Sequence, residues 1–136
     1  MSRVASAVML LLAGCGESPL VRCEVVEASI DPAVYVLGNY EIPMLARAAT
    51  ESCDPKDDRI SISAVIEEST SFHIADLADH GIDTDTTAGD GVYERTMLNP
   101  FIVEGDGLVR FSPCDPDCRE PAFEVAVHVD PQEPPL

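Results

Sequence analysis

The sequence contains no tryptophan, three histidines and eight Lys and Arg among its 136 residues. Against those cations stand 25 Asp and Glu, for a formal charge of −17. So few cations argue against a nucleic-acid binder, because phosphate backbones are neutralised by Lys and Arg. Anionic lipid headgroups are disfavoured as direct partners for the same reason. A Gly-x-Ser-x-Gly elbow, a phosphate-binding loop and a dinucleotide fingerprint are all missing. His73, His80 and His128 are not spaced three or four apart, so they make no helical metal pair. What the chain does have is apolar content: 46% of residues are hydrophobic. Its acidity is therefore not the mark of a disordered tail, and the composition fits one small folded domain with an acidic surface.

The first residues read as an address. Met1-Ser2-Arg3 is a short cationic start, and Val4 to Ala13 is an uncharged apolar run. That run is too short to span a bilayer, which takes about 20 residues, and suits the core of a signal peptide. It ends in Leu12-Ala13-Gly14-Cys15, which resembles the bacterial lipobox at each position. The resemblance implies diacylglycerol on the Cys15 thiolate, cleavage before Cys15, and a further acyl chain such as palmitate on the freed amine. Cleavage removes 14 residues and one cation, Arg3, leaving 122 residues at −18. More than one acyl chain gives stable membrane anchoring. The implied location is the cell envelope, with Gly16 favouring the outer membrane in a Gram-negative host.

Four cysteines follow: Cys23, Cys53, Cys114 and Cys118. Outside the cytoplasm an even number suggests disulfides, here with three possible pairings. Cys114-Asp-Pro-Asp-Cys118 closes a small loop with a turn-forming Pro116, so Cys114–Cys118 and Cys23–Cys53 are the first choice. A zinc site is the rival reading, with three residues between Cys114 and Cys118 where two are usual.

Beyond the signal no segment keeps helical periodicity for three turns. Ile60, Ile62, Ala64 and Ile66 alternate with Ser61, Ser63 and Val65, and Phe123, Val125, Val127 and Val129 with Glu124, Ala126 and His128. Both are period-2 strands. Cys23 to Ile30, Ile42 to Ala49, Phe72 to Leu77, Val92 to Leu98, Phe101 to Val103 and Leu108 to Phe111 read as further strands, with Glu104 to Gly107 as a hairpin turn. Ile42 to Ala49 is open to a helical reading, since Pro43 can begin a helix or sit at a strand edge. Seven to eight short strands, with turns of Gly, Pro and Asp, suggest an all-β antiparallel sandwich over residues 22–130. Residues 15–21 form its lipidated tether and 131–136 a Pro-rich disordered tail. Without Trp, the core is expected to be filled by Tyr35, Tyr40, Phe72, Tyr93, Phe111 and Phe123.

The stretch from Leu77 to Tyr93 is the most distinctive. Leu77, Asp79, Gly81, Asp83 or Asp85, and then Ala88-Gly89-Asp90-Gly91-Val92-Tyr93 resemble a motif of bacterial extracellular Ig-like or fibronectin-like sandwich domains. The resemblance implies a structural or adhesive module and no particular activity. Physically, Asp79, Asp83, Asp85 and Asp90 crowd one loop, and carboxylates that close repel unless a cation or backbone N–H groups compensate. Calcium suits such oxygen ligands. As an EF-hand the loop fits poorly: counted from Asp83, Asp85 and Glu94 fall on ligand positions, but Thr87 and Ala88 replace a ligand and the required Gly. An Asx-turn loop bonded to its own backbone is the favoured reading.

Two function classes follow. The favoured one is a non-catalytic, lipid-anchored module that contacts an envelope protein or glycan. The alternative is a small metal-assisted hydrolase using the Asp79–Asp90 loop and His80, which requires an open metal position and a cleft. Glu67-Glu68 makes an unpromising carboxylate pair, because adjacent strand residues face opposite ways.

Overall fold

The computed structural model describes residues 22–79, 90–121 and 123–133. Within them eight strands form two sheets, and no helix occurs among the described residues. The strands are β1 (Glu24–Asp31), β2 (Val34–Val36), β3 (Met44–Glu51), β4 (Arg59–Ile66), β5 (Thr70–Leu77), β6 (Val92–Met97), β7 (Gly105–Cys114) and β8 (Phe123–Asp130). One sheet has the order β1-β3-β6, the other β2-β8-β7-β4-β5. This is a β-sandwich. Immunoglobulin constant domains set strands A, B, E and D against C, F and G, whereas this chain's β5 pairs with β4 in the second sheet. Here β1, β3 and β6 take the places of A, B and E, and β4, β7 and β8 those of C, F and G.

Alternation dictates the layers. Ile60, Ile62, Ala64 and Ile66 on β4 are fully buried, while the residues between them are partly exposed. On the facing sheet Met44, Ala46 and Ala48 are likewise buried, and Tyr93 and Phe111 are the largest enclosed side chains. Small alanines on one inner face leave volume for these rings, as close packing requires. Ile42 to Ala49 thus resolves as strand, with Pro43 just ahead of β3.

Four expectations need correction. β2 reads too short to be seen in the sequence, and it pairs parallel with β8, not antiparallel. Pro32 lacks an N–H and ends the β1 ladder. The chain keeps its direction, joins the other sheet and so meets β8 in parallel. Phe101 to Val103 is not a strand; Phe101 is buried from a loop, its ring 4.9 Å from that of Tyr35. Glu104 to Gly107 is not a turn, because β7 starts at Gly105. Its Gly107 lies against β4 so closely that a Cβ would stand 2.4 Å from the Val65 carbonyl oxygen. The tight turn is instead Glu67-Glu68, both at positive φ (53° and 62°), linking β4 to β5. Glu67 holds that turn to β7: its N–H donates to the Asp106 carbonyl, and its Oε2 accepts the Asp106 N–H, each at 2.8 Å. Finally, Tyr40 is 58% exposed and is no core residue.

Candidate functional site

The strand directions sort the loops into two ends. At one end lie the start of β1, the β3–β4 loop, the end of β5, the start of β6 and the end of β7. Both disulfides sit there. Cys23 is bonded to Cys53 and Cys114 to Cys118, the pairing favoured from the sequence. They are joined by a charged clamp that the sequence reading missed. The Cys23 N–H donates to Asp115 Oδ2 (3.2 Å), and Arg119 donates to the Cys23 carbonyl. Arg119 Nε stands 3.3 Å from Asp115 Oδ1. Asp115 and Arg119 flank the small Cys114–Cys118 loop, so the disulfide orients the pair that grips Cys23. A cation one residue after Cys118 was the available signal.

Asp79 and Asp90, which flank the undescribed part of the Asp-rich segment, lie at the same end. Asp79 is 1% exposed. Its Oδ2 accepts the Gly91 N–H at 2.8 Å and its Oδ1 the Asp90 N–H at 3.3 Å. Asp90 Oδ1 accepts the Val92 N–H at 2.9 Å, the short-range pattern of an Asx turn. Gly91, at φ +81°, turns its carbonyl to receive both the N–H and the hydroxyl of Thr50, each at 2.8 Å. Tyr93 then returns to the core, its hydroxyl donating to the Asp54 carbonyl. His80, Asp83 and Asp85 lie outside the described residues, as does Cys15, the residue expected to be lipidated. Among the described residues no group of three or more His, Cys, Asp or Glu is placed to hold a metal.

At the opposite end lie the β2–β3 loop, the β4–β5 turn, the β6–β7 loop and the residues after β8. One buried amide ties the two longer loops together. Asn99, 4% exposed, donates through Nδ2 to the carbonyls of Val36 and Asn39, both at 3.0 Å, and accepts the Phe101 N–H. Nearby, His128 lies between two carboxylates, with Nδ1 2.6 Å from Asp106 and Nε2 2.8 Å from Asp130. The bonds to Asp106 and Asp130 raise its pKa above the usual 6.5. As the alternation implied, it faces outward.

A recess of about 320 Å³ lies on the outer face of the β1-β3-β6 sheet, lined by Glu27, Arg47 and small residues such as Ala49. Arg47 crosses to Glu94 of β6 at 3.5 Å. Glu67 and Glu68 form the β4–β5 turn, with the Glu67 carboxylate bonded to backbone. No family model, curated protein or solved structure significantly matches this chain.

Proposed function

We propose that this chain is a lipid-anchored, non-catalytic module of the cell envelope that presents its sandwich to a protein or glycan partner. The single observation that carries the reading is the way the chain is fastened where it enters the fold. Cys23 lies eight residues after Cys15. It is held by a disulfide to Cys53, by Asp115 at its N–H and by Arg119 at its carbonyl. An anchor on Cys15 pulls on that residue first, and the fold resists at that point with covalent and ionic bonds. Eight extended residues reach at most about 28 Å, so the anchor would keep the disulfide end, where the tether enters, within that distance of the membrane.

Asp79 and Asp90 brace the same end through bonds to the backbone. Asp79 and Asp90 already accept backbone N–H groups, which favours the self-bonded loop over a calcium site, and over the hydrolase built on the same residues. Calorimetry in calcium and then in chelator decides the matter. Superimposed curves leave the loop self-bonded, and a higher melting temperature in calcium assigns it a bound ion. For the anchor, cells fed an alkyne analogue of palmitate should label the wild-type chain and leave Cys15→Ser unlabelled. Equal labelling of both, or of neither, would overturn the proposal.

A further inference from the structure

The two ends differ in what they leave uncovered. At the end away from Cys23, large apolar side chains stand in solvent, four of them on two loops: Tyr40 (58% exposed), Ile42 (57%), Leu98 (66%) and Ile102 (63%). Tyr40 and Ile42 belong to the β2–β3 loop, Leu98 and Ile102 to the β6–β7 loop. The two loops are neighbours for two independent reasons. Met44 pairs with Met97 across β3 and β6, which brings Ile42 and Leu98 to the same margin. Asn99 joins the loops directly through the Val36 and Asn39 carbonyls. Because Phe101 is buried against Tyr35, its neighbour Ile102 is turned outward. Scattered single apolar residues on a surface need no account, but four on two bonded loops do.

The charge around them has one sign. Residues 31–44, 66–70, 97–109 and 128–133 contain eight Asp and Glu and no Lys or Arg. Glu41, Glu68 and Glu104 are exposed among them. The other end mixes both signs, with Arg22, Lys56, Arg59 and Arg119 beside its carboxylates. An apolar cluster with an unrelieved anionic rim suits an occupant that supplies cations and aliphatic groups together.

We infer that the Tyr40, Ile42, Leu98 and Ile102 surface docks a basic protein segment that carries aliphatic side chains. The inference rests on the module reading above and names its partner class and its contact face. A second copy of this chain would set two anionic rims together, and anionic headgroups would meet the same repulsion. Rim charges would steer the segment, and the apolar side chains would hold it.

The test uses the lipidated chain in phosphatidylcholine nanodiscs and three labelled peptides of equal length: alternating Lys-Leu, Lys-Ser and Glu-Leu. Fluorescence anisotropy should show binding of Lys-Leu, weakening as salt rises. Leu98→Ser with Ile102→Ser should weaken it by about tenfold or more, while Val26→Ser at the disulfide end should leave it unchanged. Tyr40→Ser with Ile42→Ser is an independent variant on the other loop, and circular dichroism verifies that each variant is folded. Equal binding of Lys-Ser, binding of Glu-Leu, or indifference to both double variants would overturn the inference. So would a sedimentation mass that falls to that of the monomer in the variants, which would assign the face to a second copy. None of these changes touches Cys15, so palmitate labelling still reads out the anchored module when the docking face fails.

Discussion

The two ends of this sandwich are held by different chemistry. The disulfide end is fixed by two covalent bonds, the Asp115–Arg119 clamp and the buried Asp79 carboxylate. The far end is organised around a neutral amide, Asn99, and leaves apolar side chains in water. Charge-assisted hydrogen bonds are stronger than neutral ones, and a disulfide restricts the unfolded chain. On the function proposed above, the first end would bear the pull of the anchor and the second would meet other molecules.

The comparison can be broken most forcefully by removing a disulfide. Cys23→Ser with Cys53→Ser opens a link across 30 residues and should cost about 2–4 kcal/mol, lowering the melting temperature by roughly 10 °C. The same change at Cys114 and Cys118, which closes only a short loop, should cost less. Asp79→Ala comes next. It strips the acceptor from the Asp90 and Gly91 N–H groups and should cost about 2 kcal/mol in denaturant unfolding. At the far end Asn99→Ala should cost about 1–2 kcal/mol. It should also open residues 98–104 to protease, leaving cleavage at the disulfide end unchanged.

Tyr35→Phe should act in the opposite direction. The Tyr35 hydroxyl is buried with no hydrogen-bond partner among the described residues, and burial, with Asp31 nearby, pushes its pKa up. Removing an unsatisfied hydroxyl should raise stability by about 1 kcal/mol, read by urea unfolding. The smallest effect is expected at His128. Because its folded pKa is raised, its contribution is fully present below the ordinary value of 6.5 and is lost as pH rises through the folded value. A proton NMR titration should place the His128 midpoint above that of Asp106→Asn. Coincident midpoints would remove the carboxylate pairing.

Much of the fold was legible because burial in a sandwich repeats every second residue. β4 and β8 announce themselves through Ile60 to Ile66 and Phe123 to Val129. β2 did not, since three residues are too few to display a period. The Phe101 segment looked like a strand because hydrophobicity reports burial and not backbone pairing. Glycines misled at residues 105–107: Gly107 marks the close approach of β4 there, not a turn. In the candidate site the cysteine pairing and the Asx character of Asp90 were readable from local spacing. The Asp115–Arg119 grip on Cys23 was not, because its partners lie more than 90 residues apart.

By itself the sequence determined the acidic charge, the resemblance of Leu12–Cys15 to a lipobox, the alternation of the long strands and the spacing that favours a local Cys114–Cys118 bond. All of these are properties of neighbours along the chain. The tertiary structure decided which residues share an end. Strand direction carries Cys23, Asp79 and Cys114 to one end, and Tyr40, Ile42, Leu98 and Ile102 to the other. That sorting depends on sheet order and on Asn99 reaching across to Val36, contacts between distant residues that no local pattern encodes.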